Sequence, residues 1–267
     1  MTATMPGQVS PDLRTTLRAL KPGQMPGTLP ERLTLARQQK MPHADFLELI
    51  LADEVTRREA KSAGLRARAA GLDPGMRLDA RDETATVRYD RQLWNELTSP
   101  RFPGGPHGAL ILGPAGVGKT HLASALGHIA VRRRRTVHMA PASKLFKRLK
   151  AARLDNTLEA EMRRLAGVEL LILDDFALQP LDATETADFY QLCVERHRKT
   201  STVVTSNRTP EEWLSMMADP LLAQSAVDRL ASTARELIIE GQSYRHRQKP
   251  SLRSAASPDP GGDDGAA

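Results

Sequence analysis

The sequence predicts an α/β fold in which a parallel sheet of five strands is covered by helices on both faces. Three observations predict it. Short apolar runs recur at residues 109–112, 136–140, 169–173, 202–205 and 236–239, with helix-length segments between them. The runs are nearly all apolar rather than alternating, as expected of strands buried on both faces. The first run leads into a glycine-rich loop and then a helical stripe of Leu122, Ala125, Leu126 and Ile129. Strand, loop and helix in that order are the unit from which parallel sheets are built.

A chain of 267 residues has room for one main domain and a smaller appendage. Aromatic residues make up only 4% of it, so the core must come from Leu, Ile, Val and Ala. The single cysteine, Cys193, excludes an internal disulfide and fits a reducing cytoplasm. It shares a helical pattern with Phe189 and Leu192, which makes it a buried, inert thiol. No apolar run approaches the length of a membrane span, and no charged leader precedes an apolar stretch. Membrane insertion and export are not expected. Lys and Arg number 38 against 32 Asp and Glu, a net charge of +6 that favours anionic partners, nucleic acid first.

Along the chain, residues 1–27 are rich in Pro, Gly and Thr and read as flexible. Residues 28–75 read as a small helical appendage. Thr28-Leu29-Pro30-Glu31 resembles a capping box with proline in the first turn, and Pro42 interrupts the pattern that follows. A longer helix starts near Ala44, apolar at first through Phe46, Leu49 and Ile50. Its distal half is basic, and Gly71, Pro74 and Gly75 end it. Residues 76–249 hold the α/β domain, and 250–267 read as a disordered tail.

The loop Gly113-Pro114-Ala115-Gly116-Val117-Gly118-Lys119-Thr120 has the spacing G-x-x-x-x-G-K-[ST]. Glycines let the backbone curl so that successive N–H groups point inward at phosphate oxygens. The helix that follows adds its positive N-terminal end. Lys119 can reach the β- and γ-phosphates of a nucleoside triphosphate, and the Thr120 hydroxyl can ligate Mg²⁺. His121, the next residue, is grouped with this nucleotide-binding set.

The third apolar run ends in Asp174 and Asp175. Carboxylates at the C-terminal end of a parallel strand sit beside the ligand crevice of the sheet. Asp174 is placed to hold Mg²⁺ through water. Asp175 either polarises an attacking water or caps a following helix. The fourth run ends in Thr205-Ser206-Asn207. Asn207 either contacts the γ-phosphate and the water or is a turn residue. Arg229 and Arg245 are the remaining candidates for stabilising charge on a transferring phosphate. By spacing alone each is an exposed ion pair.

The order of these parts resembles the IstB-like ATPases, relatives of the DnaC-type helicase loaders within the AAA+ group. The likeness covers residues 29–249. It rests on the phosphate loop followed by His121-Leu122-Ala123, on Leu170-Leu171-Ile172-Leu173-Asp174-Asp175, and on Thr205-Ser206-Asn207 with Trp213. Asp228-Arg229-Leu230 and Gly241-Gln242-Ser243-Tyr244-Arg245 complete it. The resemblance implies a P-loop AAA+ fold with strand order 5-1-4-3-2 and no separate C-terminal lid. It implies ATP and Mg²⁺ as ligands, with Lys119, Asp174, Asp175, Asn207, Arg229 and Arg245 catalytic. Asn207 would match sensor 1. Arg229 would match the arginine finger serving a neighbouring subunit, and Arg245 sensor 2 in its own subunit. It also implies ATP-dependent self-assembly on double-stranded DNA and a partner transposase. A helicase loader is the alternative function and a small-molecule kinase the remote one. Asp175 stands where many AAA+ proteins carry Glu; the shorter acid implies hydrolysis that is slow or demands assembly.

Three basic clusters are candidates for DNA contact. They are Arg57, Arg58, Lys61, Arg66 and Arg68; the run 132–135; and Lys144, Lys147 and Arg148, which helical spacing puts on one face, with Lys150 beyond. The competing reading is a solvated charged helix, and for 132–135 a helix C-terminus. The seven histidines show no metal-ligand spacing; His121 and His128 read as packed or solvated.

Overall fold

The computed structural model describes residues 25–78, 87–102 and 105–241, with Thr15 and Ser243. Arg245, the tail 250–267 and most of the stretch 1–27 lie outside the described residues.

The sheet is built around β2 (Gly108–Leu112), which lies between β5 (Ser201–Ser206) and β6 (Ala234–Ile238). Beyond β5 come β4 (Leu170–Asp174) and, at the edge, β3 (Val137–Pro141). Every neighbouring pair is parallel. Counted among themselves in chain order, the five strands run 5-1-4-3-2 from the β6 edge. Since side chains alternate between faces, each strand feeds two cores. Leu110, Leu112, Leu171, Leu173 and Val204 face one core with α5 (Ala142–Leu154), α6 (Leu158–Gly167), α7 (Ala183–Arg196), α8 (Pro210–Leu214) and α9 (Pro220–Ala231). Ala109, Ile111, Leu170, Ile172, Val203 and Leu237 face the other, with α3 (Arg91–Thr98) and α4 (Lys119–Arg132). At about 1.5–3 kcal/mol for each buried Leu or Ile side chain, these two layers are the main stabilising term.

An N-terminal hairpin of α1 (Met25–Gln38) and α2 (His43–Ala69) packs beside this domain. Here the expected capping box does not form. Met25, where the described stretch opens, is already helical, and Pro30 lies inside the helix. Thr28 Oγ1 donates to the Met25 carbonyl rather than capping a new helix, and Thr34 Oγ1 donates to the Pro30 carbonyl at 2.9 Å. Proline thus stands early in an ongoing helix, not at its start. Pro42 instead serves as the N-cap of α2. Leu29 and Ile50 form the hairpin's own small core, with Met25, Leu33 and Phe46 against them.

The distal half of α2 joins the main domain. Ala63 and Ala67 pack into the α4 layer. Arg66 Nη2 donates to the Val131 carbonyl near the end of α4, at 3.1 Å. At the α2 C-terminus the Ala70 carbonyl accepts the Met139 amide of edge strand β3 at 2.7 Å. A partner is thereby supplied to a strand that has none on that side.

Two features escaped the sequence reading. β1 (Val87–Arg88) pairs antiparallel with β7 (Glu240–Gly241), joining the start of the α/β domain to its end. Helix α3 follows, capped by Asp90, whose carboxylate accepts the Gln92 and Leu93 amides. Among the described residues no helix is long and apolar enough to cross a membrane.

Candidate functional site: the C-terminal edge of the sheet

The phosphate loop leaves β2 at Leu112 and enters α4 at Lys119. Gly113 has φ 148°, and a Cβ there would run into the Ile239 carbonyl. Gly116 has φ 82°, and its Cβ would occupy the place of the Ser243 side chain. Glycine is required at both for conformation and for space. The second contact brings residue 243 onto the loop, two positions before Arg245. The buried Lys119 ammonium donates to the carbonyls of Gly113 and Pro114 at 2.8 and 2.7 Å, and to Asn207 Oδ1.

Parallel pairing of β4, β5 and β2 puts the polar C-terminal residues of β4 and β5 beside the phosphate loop that leaves β2. Asp174 is buried, and its Oδ1 accepts from two hydroxyls: Thr120 Oγ1 at 3.0 Å and Thr205 Oγ1 at 2.6 Å. Burial raises the Asp174 carboxyl above its usual range. The charge of Asp175 adds to the rise, and the hydroxyl hydrogen bonds oppose it.

Asp175 is exposed, with φ 52°, and its amide donates to Thr205 Oγ1 at 2.9 Å. It caps no helix: the next one, α7, is capped by Asp182 in a capping box with Glu185. Asn207 follows β5 directly, and its Oδ1 accepts from the Lys119 ammonium. The structure thus brings Lys119, Thr120, Asp174, Asp175 and Asn207 to one edge.

Thr205 and Ser206 were missed as members of this group. Ser206 Oγ donates to the Phe176 carbonyl at 2.8 Å and accepts the Trp213 Nε1–H at 3.0 Å. Their signal in the sequence was two hydroxyls closing an otherwise apolar strand.

Three other candidates lie elsewhere or have other partners. His121 shares its Nε2 with the Arg77 carbonyl at 2.9 Å, and buried His128 does the same with the Asp73 carbonyl at 2.8 Å. Both hold the segment after α2 onto α4. Arg229 lies near the end of α9, with Nη1 donating to the Ser225 carbonyl at 2.9 Å and to Ser225 Oγ, and its guanidinium 5.7 Å from the centre of the Tyr190 ring. Thr233 Oγ1 donates to its carbonyl, and the Thr233 carbonyl in turn accepts the Gly108 amide at the start of β2. Arg229 therefore sits at the end of the sheet opposite the phosphate loop. Cys193 is half-buried, not buried as its helical pattern predicts, and desolvation of its sulfur pushes the thiol up to about 12.

The basic candidates divide. Arg57 and Arg58 both grip Glu54, Arg66 is bonded to Ser62 and Val131, and Arg148 pairs with Glu161. Lys61, Arg68, Lys144 and Lys147 are exposed. In the run 132–135, Arg133 donates to the Ser99 and Thr98 carbonyls at the end of α3, not to its own helix. Arg134 and Arg135 pair with Glu59 and Glu169. Arg58 and Arg66 of the first cluster and Arg132 and Arg134 of the second line one groove of about 630 Å³, together with Ala60, Ala63 and the acid Glu59. The third cluster is on α5, in the opposite layer of the sheet. No cluster of metal-ligating side chains occurs among the described residues.

The family described as IstB-like ATP binding protein matches residues 15–252 of the chain. The chain is 33% identical over 241 residues to an insertion-sequence ATP-binding protein of Mycobacterium tuberculosis, across 90% of this chain and 96% of the relative. It is 32% identical over 238 residues to the insertion sequence IS21 ATP-binding protein of Pseudomonas aeruginosa, across 89% and 90%. The crystal structure of DnaI matches with a TM-score of 0.53 at 20% identity, over 61% of this chain and 90% of DnaI, a likeness of fold.

Proposed function

The chain belongs to the IstB-like ATP-binding protein family and is an ATPase of the P-loop AAA+ type; from that premise we propose that it is the cytoplasmic helper of a transposase, assembling on duplex DNA with ATP. The observation that carries the reading is the hydroxyl–carboxylate pair of Thr120 and Asp174, 3.0 Å apart behind the phosphate loop. Relatives named for insertion sequences favour a transposase over a helicase as partner.

The donor set suits Mg²⁺: one hydroxyl and one buried carboxylate that accepts from hydroxyls rather than from a cation. When bound, Mg²⁺ would neutralise charge on the β- and γ-phosphates. The chain's own groups do the rest. Amides of residues 113–120 cradle the phosphates. Lys119 moves its ammonium from loop carbonyls and Asn207 to phosphate oxygens. Asp175, exposed at the mouth, orients the water, and Asn207 holds its other side. Arg245 acts on the nucleotide of its own subunit.

Arg229 supports assembly. The five residues of β2 separate it from its own phosphate loop by about 15 Å of strand. It serves the ATP of the next subunit, where it stabilises charge developing on the phosphate. DNA lies along the basic groove between α2 and the end of α4, held through phosphates without base selectivity.

The test is the ATPase rate per subunit, measured against protein concentration with and without duplex DNA. Both should raise it. A rate indifferent to both sinks assembled-site catalysis. Co-purification with a replicative helicase instead of a transposase sinks the partner assignment.

A further inference from the structure

We infer that Thr205 is a positioning residue, whose hydroxyl locks the two acids of the site together and holds Asp175 in a left-handed turn. The inference rests on the ATPase reading above. Thr205 is fully buried. Its hydroxyl proton points to Asp174 Oδ1 at 2.6 Å, and its oxygen accepts the Asp175 amide at 2.9 Å. One atom therefore fixes both the carboxylate that faces Thr120 and the backbone that carries the next carboxylate. Loss of the hydroxyl removes the acceptor of the Asp175 amide and leaves Asp174 Oδ1 with Thr120 as its one remaining hydroxyl donor.

The turn explains why this geometry is needed. Asp175 has φ 52° and Ala177 φ 53°, a conformation that side-chain-bearing residues rarely adopt. Such backbone persists only where its surroundings over-determine it. Here β5 supplies the constraints. The Phe176 amide donates to the Thr205 carbonyl at 2.9 Å, and the Phe176 carbonyl accepts from Ser206 Oγ at 2.8 Å. The Phe176 ring is wedged between Phe189 and Trp213, with ring centres 4.5 and 4.9 Å away. Aspartate tolerates the left-handed region better than most residues. Asp at position 175 is therefore matched to a turn that aims a short acid, and is not a shortened Glu awaiting rescue.

The experiment compares Thr205→Val, Thr205→Ser and Asp175→Glu in the full chain. It reads steady-state hydrolysis with duplex DNA, binding of a fluorescent ATP analogue, and the Mg²⁺ concentration that half-saturates that binding. T205V should lower kcat on the order of 10-fold to 100-fold with KM for ATP within about threefold. It should also raise the Mg²⁺ requirement, and T205S should restore most of both. Wild-type kcat and Mg²⁺ dependence in T205V would overturn the inference, as would T205S as damaged as T205V. D175E, which leaves Thr205 intact, should hydrolyse more slowly despite its longer reach; faster hydrolysis overturns the turn argument even if T205V fails to fold. If the unaltered chain binds the analogue but does not hydrolyse ATP, the ATPase reading falls by itself, and the Mg²⁺ titration alone judges Thr205.

Discussion

Two carboxylates of similar exposure, Asp174 at 6% and Glu54 at 8%, are shifted in opposite directions: burial pushes both up, but at Glu54 the neighbouring arginines outweigh it. In the hairpin, Arg57 and then Arg58 clamp Glu54, holding its carboxyl down at about 2. At the sheet edge, Asp174 accepts from two hydroxyls, and burial raises it. A structural acid is satisfied by the chain's own cations. A functional acid is held in place by neutral donors and left to meet a cation from outside. The same contrast extends to packing. The sheet edge is fixed by a continuous hydrogen-bonded network. The hairpin relies on Leu29 and Ile50 and leaves Leu47, Leu51 and Val55 exposed along one side of α2.

The sharpest break of this comparison is Asp174→Asn, which keeps the shape and removes the charge. Hydrolysis should fall by roughly 1,000-fold or more, measured as phosphate release, while the melting temperature stays near that of the unaltered chain. Arg229→Ala comes next. Hydrolysis should fall on the order of 100-fold with ATP affinity per subunit unchanged in equilibrium titration; mixing with Lys119→Ala chains should restore part of it if the arginine serves a neighbour. In the hairpin, Ile50→Ala should cost about 2 kcal/mol locally. Faster amide exchange in α1 and α2 without loss of nucleotide binding would show it.

Arg132→Glu combined with Arg134→Glu should weaken duplex binding and reduce the salt slope by about one per lost phosphate contact. Lys144→Glu with Lys147→Glu, in the opposite layer, should do neither; the reverse result moves DNA to α5. The smallest effect is a pH one. Glu54 titrates lower in the folded hairpin than in the unfolded chain, so its stabilisation is present above pH about 4.5 and disappears as pH falls toward 2. Glu54→Gln should flatten that dependence in a melt followed against pH. An unchanged curve would remove the ion pairs from the account.

The sheet was legible because its strands are buried on both faces and so carry an unbroken apolar signature. Asp174 was legible because a charge at the end of such a strand has few other uses. Thr205 was not singled out, since a hydroxyl in a strand scores as ordinary β composition until its two partners are placed around it. The start of α1 was misread because Pro30 is favoured at a helix N-terminus and tolerated one turn further in. Strand β1 and its partner β7 are two residues each, too short for periodicity to register. The arginines of α2 were legible as charge but not as clamps, because Glu54 lies on the apolar side of the pattern that precedes them.

The proposed action of Arg229 on a neighbour's nucleotide, from the end of the sheet opposite its own phosphate loop, has a consequence for growth. Under that proposal each added copy would cover one half-site and present a fresh one, a heterologous contact that repeats without a built-in stop. Length must then be limited by geometry that closes a ring or by the track on which the polymer grows. A terminal subunit would then carry nucleotide that no neighbour's Arg229 reaches, so turnover per chain should climb with polymer length toward a plateau.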